Sequence, residues 1–139
     1  MFAQEGQNVY PFLNIPVSAR QAALGGDAVS IRDFDVSFAG VNPGLMNLEQ
    51  DQMISLNFAS YLADSKYGTI SFVKDLGEAH LISFNARYMD YGRMPRTDES
   101  ATIDGEFGAM DASVGLGYAY QFDENSTIAG GTNFISSKI

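Results

Sequence analysis

The sequence predicts an all-β protein, and three features of its composition and patterning support this prediction. Ten Phe and seven Tyr accompany fourteen Gly, with no Trp and no Cys. Aromatic side chains suit the pleated, half-buried surface of a sheet, so this composition favours strands over helices. From about residue 52 onward, apolar and polar residues alternate with a period of two, and polar turn sequences separate the alternating stretches.

The alternating stretches predict five antiparallel strands in sequence order. Their ranges are 53–62, 66–74, 79–91 and 106–122, with a fifth strand from about residue 127. The predicted connections are turns at 63–65, 75–78 and 123–126 and a long polar loop at 92–105.

The fourth predicted strand favours a membrane location. Residues 106–122 number seventeen, whereas strands of soluble sheets average about five or six residues. One face is apolar and ends in Tyr118, Tyr120 and Phe122, similar to the aromatic girdle of an outer-membrane barrel. The other face is small and polar, as the interior of such a barrel requires. No stretch approaches about 18 consecutive apolar residues, so the sequence predicts no transmembrane helix.

The alternation alone does not say which face is inside. A soluble lipocalin-like barrel or a β-sandwich, with its apolar face inward, is therefore the alternative. If the strands cross a membrane, the connection lengths orient them, because outer-membrane barrels have short periplasmic turns and long extracellular loops. The loop at 92–105 is then predicted to be extracellular, and the first strand to start at the periplasm.

Residues 1–50 are patterned differently and predict a compact plug, or hatch, ahead of the barrel strands at 51–139. Residues 18–24 predict a short helical turn, and 28–31 a brief strand. Gly25 and Gly26 end the helical turn, and glycine there would let the backbone turn sharply and approach the barrel wall. Asn42 and Pro43 predict a break before the first strand.

Arg87 lies on the small polar face of the third predicted strand. A charged side chain facing lipid is costly, so the sequence predicts that Arg87 points into the barrel. Its predicted partner there is a hatch carboxylate, Asp33 or Asp35. A substrate-binding role for Arg87 is the alternative.

Few residues are candidates for catalysis or metal binding. His80 is the only histidine, and no nucleophile elbow lies near it. The acidic pairs, among them Asp98-Glu99 and Asp123-Glu124, lack the ligand spacing of a calcium loop. A net charge of −9 argues against nucleic-acid binding. The sequence predicts no catalytic residue, metal or cofactor.

Both ends of the sequence predict a longer protein. Residues 1–4 resemble the end of a secretory signal, although an ordinary start is equally compatible with them. Residues 133–139 stop inside a predicted strand. Because an open sheet edge in lipid leaves backbone groups without partners, we expect further strands after residue 139.

An ordered series of short motifs resembles a known family. Residues 16–30, Asp33, Asp35-Val36-Ser37 and Asn42-Pro43-Gly44-Leu45 resemble the opening of FadL-like outer-membrane proteins, and more closely the PorQ family of type IX secretion in Bacteroidetes. The likeness continues through Tyr67-Gly68, Tyr91-Gly92 and residues 97–100 and 105–107. Gly44 departs from the wider group, which often has Ala there.

The resemblance implies a bacterial outer-membrane barrel of about fourteen strands, with this chain supplying the hatch and the first five. It also implies a non-enzymatic role in anchoring a cell-surface complex that attaches secreted cargo to anionic lipopolysaccharide. The implied partners are outer-membrane lipid, a sortase, a PorV-like barrel and a PorZ-like protein. A FadL-type channel for hydrophobic small molecules is the alternative function.

Overall fold

In the computed structural model the chain forms one antiparallel sheet in which five strands follow in sequence order. The structure describes residues 10–26, 30–61, 64–97 and 103–138. The strands are β1 Ile54–Ser60, β2 Lys66–Gly77, β3 His80–Thr97, β4 Ile103–Asp123 and β5 Ser126–Lys138. The predicted all-β class and the five antiparallel strands are thus confirmed.

Tight turns join the strands at one end of the sheet. Glu78 and Ala79 connect β2 to β3 and have φ values of 52° and 65°. Positive φ at both central residues is the geometry of a type I′ turn, whose twist matches that of the flanking strands. β2 is longer than predicted because Asp75 and Gly77 pair with β3 instead of forming the turn. Two residues, Glu124 and Asn125, also connect β4 to β5.

The prediction of a polar loop at 92–105 is wrong for the residues of this range that the structure describes. β3 and β4 continue as a paired hairpin, in which Met94 pairs with Phe107 and Pro95 with Glu106. Among the described residues neither β2 nor β5 accompanies this part, because β2 pairs with β3 only as far as Asp90 and β5 pairs with β4 only as far as Met110. Alternation of apolar and polar residues reflects one buried face of a sheet, and within the described residues this hairpin has no neighbouring strand that would impose it. Pro95 is accommodated because its strand is an edge there.

The N-terminal segment, defined here as residues 10–50, consists of short helices. The predicted helical turn at 18–24 is confirmed as α1, Ala19–Ala23, with Ser18 capping it by accepting the Gln21 N–H at 3.2 Å. The remaining elements are single 3₁₀ turns at Pro11–Asn14, Val36–Gly40, Pro43–Leu45 and Leu48–Gln50. The predicted strand at 28–31 falls largely outside the described residues.

The N-terminal segment packs on one face of the sheet, and the apolar core lies between the two. Val36, Ala39 and Met46 of the segment contact a cluster of three sheet residues, Val73, Leu81 and Ala119. Phe12 packs in a second cluster with Tyr67 and Met89. No helix in the described parts of the chain is long and apolar enough to cross a membrane.

Candidate functional site

The two faces of the sheet have opposite environments. On the face beneath the N-terminal segment, many of the buried side chains are polar: Thr69, Ser71, Ser83, Asn85, Asp111 and Ser113. The other face is apolar and exposed, with Leu56 and Phe58 retaining 71% and 74% of their accessible surface. A sheet of a soluble protein normally has the reverse arrangement, with its apolar face packed on the core.

A charged row bounds the exposed apolar face at one end. We define this row as Lys66, Asp90 and Lys138. Asp90 pairs with Lys66 on one side and with Met110 on the other, and Met110 pairs with Lys138. The three charged positions therefore lie side by side across β2 to β5. The hairpin formed by β3 and β4 projects beyond this row.

An aromatic cluster bounds the apolar face at the opposite end. His80 Nδ1 lies 2.6 Å from the Tyr118 hydroxyl oxygen, and the rings of His80 and Tyr120 lie 4.6 Å apart. The Tyr120 and Phe122 rings follow in an edge-to-face contact at 5.5 Å. The prediction that Tyr118, Tyr120 and Phe122 share one face of the sheet is confirmed, and that face is the exposed one. The sequence did not predict that His80 belongs to this aromatic cluster, because only the register between β3 and β4 brings His80 beside Tyr120.

A groove of about 470 Å³ crosses the apolar face near the charged row. Its lining includes three small residues, Gly68, Ala86 and Ala112, set among the larger Phe58 and Tyr88. Gly68 and Ala112 both pair with Tyr88, while Ala86 lies one step further along the same face. The small residues leave a depression that their larger neighbours flank.

Arg87 joins the covered face of the sheet to the N-terminal segment. Its Nη1 donates to the Leu13 carbonyl oxygen and its Nη2 to the Gly40 carbonyl oxygen, each at 2.7 Å. Arg87 thus points toward the segment; its predicted location inside a barrel stays a prediction. The predicted ion pair of Arg87 with Asp33 or Asp35 is wrong, because backbone carbonyls occupy its guanidinium.

Asp33 and Asp35 instead pair with Arg20, within the N-terminal segment. Arg20 Nη2 contacts the Asp33 carboxylate, and Nη1 lies 3.7 Å from Asp35 Oδ2. The two carboxylates also shape the local backbone: Asp33 accepts the Asp35 N–H at 2.8 Å, and Asp35 accepts the Ser37 N–H at 3.0 Å. The two acidic residues therefore organise the segment itself and do not attach it to the sheet.

The predicted turn residues have separable roles. Gly25 and Gly26 have φ values of 90° and 93°, in the region that favours glycine. The expected close approach to the sheet is absent at both, because a Cβ on either would meet no described atom within 4 Å. Asn42 caps the next turn by accepting the Gly44 N–H at 2.9 Å.

Pro43 of the segment packs closely against two glycines of the sheet. Gly117 and Gly131 are cross-strand partners, and a Cβ built on them would lie 3.1 Å and 3.3 Å from Pro43 Cγ. The paired glycines thus form a seat for the proline ring. The alternating glycines of β4 could have predicted a close approach to this face of the sheet, but the sequence does not show which residue makes it.

A polar-lined cavity of about 210 Å³ lies beside this seat, between the segment and β3 to β5. Asn85, Thr132 and Asn133 contribute to its lining. Asn85 is buried, and its Oδ1 has no hydrogen-bond partner among the described residues.

Within the described residues, no group of three or more His, Cys, Asp or Glu side chains is placed to hold a metal ion. No family model, curated protein or solved structure matches the chain.

Proposed function

We propose that the chain forms part of a bacterial outer-membrane β-barrel of the PorQ type, which anchors a cell-surface attachment complex of a type IX secretion system. The inverted burial of the sheet carries the membrane part of this proposal. Burying a large apolar side chain gains about 1.5–3 kcal/mol relative to water. Leu56, Phe58 and their neighbours forgo that gain unless lipid covers them, whereas the face that carries the buried polar side chains and the small apolar clusters is already covered by the N-terminal segment.

The height of the apolar face supports a lipid environment. From the aromatic cluster to the charged row, β3 runs from His80 to Asp90, which is eleven residues. At about 3.3 Å per residue the strand advances about 33 Å over this distance. A tilt of about 35–45° reduces this to about 25 Å, the height of the apolar band of outer-membrane barrels.

The connections support an orientation. The two tight turns, at Glu78-Ala79 and Glu124-Asn125, lie at the end with the aromatic cluster. Outer-membrane barrels have short periplasmic turns, so this end is the periplasmic one. The charged row and the projecting β3–β4 hairpin then lie on the extracellular side, and the N-terminal segment enters β1 from the periplasm as the hatch.

The barrel needs more strands than these five. Among the described residues, β1 and β5 form the two edges of the sheet. Open strand edges are not tolerated in lipid, because their backbone N–H and C=O groups lack partners. The resemblance to the PorQ family supplies an expected total of about fourteen strands.

The secretion role comes from the resemblance of residues 16–45, and two structural features favour anchoring over transport. A FadL-type channel would need a continuous apolar passage beside the hatch, whereas the lining of the cavity there includes the polar side chains of Asn85 and Asn133. In addition, the β3–β4 hairpin extends past the charged row, where it can reach surface partners. The proposed role is structural and does not involve catalysis by this chain.

Fractionation and affinity capture of the tagged full-length protein test the two parts separately. We expect the protein in the outer-membrane fraction, soluble only with detergent, and we expect a sortase and PorZ-like and PorV-like proteins to copurify. Recovery in the soluble fraction without detergent would refute the membrane assignment. Outer-membrane recovery without a sortase or PorZ-like partner would refute the secretion role alone.

A further inference from the structure

We propose that the groove over Gly68, Ala86 and Ala112 is a binding site for an acyl chain of lipid A, the phosphorylated glycolipid of the outer leaflet. This inference rests on the proposed membrane location and orientation, and it adds a specific ligand to the lipid-facing surface. The phosphate-bearing headgroup would lie at the charged row, next to Lys66 and Lys138.

The shape of the groove suits a chain-like apolar ligand. Its volume of about 470 Å³ lies within the range of about 300–1,000 Å³ typical of ligand pockets. Leu56, Phe58 and Ile70 line one part, and Tyr88 and Val114 another, so the walls are mostly apolar. An acyl chain would bury both its own surface and these walls.

Neither the packing nor the backbone conformation of the sheet requires a glycine at position 68. A Cβ on Gly68 would meet only ordinary contacts, 3.9 Å from the Asn57 carbonyl oxygen and 4.0 Å from Phe58 Cδ2. Gly68 is also absent from the glycines with positive φ. Glycine inside a strand lowers stability and often marks a close approach by another molecule. Here no described part of the chain fills the space, which leaves it open to the lipid side.

The charges beside the groove suit a phosphate. Lys66 is two residues from Gly68 on the same face of β2, which corresponds to about 6.6 Å. Lys138 pairs with Met110, two residues from Ala112. With Asp90 between them, the row carries two positive charges and one negative, a local excess of +1 in a chain of net charge −9. Lysine is a common phosphate ligand.

The orientation selects the ligand. The charged row lies on the proposed extracellular side, where the outer leaflet contributes lipid A headgroups. The groove begins one pair of residues inward from this row, so a headgroup at Lys66 places an acyl chain over Gly68. A phospholipid also carries a phosphate, but it resides in the inner leaflet, at the opposite end of the apolar face from the charged row.

Native mass spectrometry of the detergent-purified full-length protein, incubated with lipid A or with phosphatidylglycerol, tests this inference. Gly68→Leu and Ala86→Leu fill the groove, and Gly130→Leu is the matched control. Gly130 pairs with Tyr118 on the same apolar face, and a Cβ there meets nothing within 4 Å. Two filling variants are used so that the test still holds if one of them misfolds. Heat-modifiable migration in gels verifies that each variant forms a folded barrel.

We expect bound lipid A in the unmodified protein and in Gly130→Leu, and a decrease of about tenfold in affinity in both filling variants, corresponding to about 1.4 kcal/mol of lost apolar contact. Lys66→Ser should lower lipid A binding while the groove stays open. Equal binding in filled and control variants, or tighter binding of phosphatidylglycerol, would overturn the inference. Because all variants are recovered from the outer membrane first, that result would leave the proposed membrane location intact.

Discussion

The guanidinium of Arg87 donates from Nη2 to the Gly40 carbonyl oxygen at 2.7 Å. Its Nη1 makes a bond of the same length to the Leu13 carbonyl oxygen, so one side chain of β3 holds two separate parts of the N-terminal segment. Hydrogen bonds to charged groups contribute about 1.5–3 kcal/mol each. Arg87 is therefore a charged link between the segment and the sheet, alongside neutral ones such as the hydrogen bond from Thr69 Oγ1 to the Val17 carbonyl oxygen at 2.7 Å.

Arg87→Ala is expected to loosen the N-terminal segment without unfolding the sheet. It leaves the Leu13 and Gly40 carbonyls without their donor, at a cost of about 1–3 kcal/mol for each group that stays buried. Hydrogen exchange of the segment amides should accelerate, whereas the β3 and β4 amides should stay protected. Arg87→Lys is the matched control for charge: a single ammonium does not reproduce the planar fork that reaches both carbonyls, so it should restore only part of the protection. Unchanged exchange in both variants would contradict this role.

Gly117→Val is expected to displace Pro43 from its seat. A Cβ at Gly117 would lie 3.1 Å from Pro43 Cγ and 2.5 Å from Ser83 Oγ, and overpacking of this kind typically costs about 1–3 kcal/mol. The exchange rate of the Gly44 N–H, which Asn42 holds in the native turn, reports the displacement.

Two further variants assign this effect to the proline. Gly130→Val adds the same side chain where a Cβ meets nothing within 4 Å, and it should leave the exchange rate unchanged. Pro43→Ala combined with Gly117→Val should recover part of the lost protection, since neighbouring sites couple. Strictly additive effects would show that Pro43 and Gly117 do not interact.

Acid is expected to release the link between Asp51 and β2. Asp51 Oδ1 accepts the Asp75 N–H at 2.8 Å and the Lys74 ammonium at 3.2 Å. The Asp75 N–H is the main cause that holds the pKa of Asp51 below its ordinary value of 3.8, with Gln52 and Lys74 adding to it. A carboxyl whose folded pKa is depressed stabilises the fold above its unfolded pKa, and this stability is lost as pH falls through the folded pKa.

Protection of the Asp75 amide, corrected for intrinsic exchange, should therefore be constant near neutral pH and fall below about pH 4. In Asp51→Asn the protection should be weaker at neutral pH and independent of pH over this range. The same pH profile in both proteins would show that another group controls the amide.

Much of the fold could be predicted from the sequence because the sheet has two chemically different faces. The alternation along residues 106–122 predicted β4, and the same pattern located the other four strands to within a few residues at most of their ends. Asp75 and the hairpin beyond Asp90 were mistaken for turn and loop. Polar residues at strand ends carry the same local signal as a turn, and only pairing with the neighbouring strand distinguishes them.

The contacts of the site were less predictable, because they depend on how distant parts of the chain meet. The position of Arg87 on the covered face followed from alternation, but its partners did not. Asp33 and Asp35 were plausible partners by charge, yet α1 brings Arg20 to them first. The groove depends on the register that sets Gly68 and Ala112 on either side of Tyr88, and no single strand reveals it.

The contact of the exposed apolar face with lipid is the central claim, and spin labelling tests it most directly. These 139 residues contain no Cys, so Leu116→Cys on the apolar face and Lys138→Cys at the charged row each give one label site once any cysteine elsewhere in the full-length protein is replaced by Ser. In full-length protein reconstituted into lipid vesicles, a label at 116 should collide mainly with oxygen, which dissolves in lipid. A label at 138 should shift toward collisions with a water-soluble nickel chelate. Dominant nickel accessibility at 116 would contradict the account.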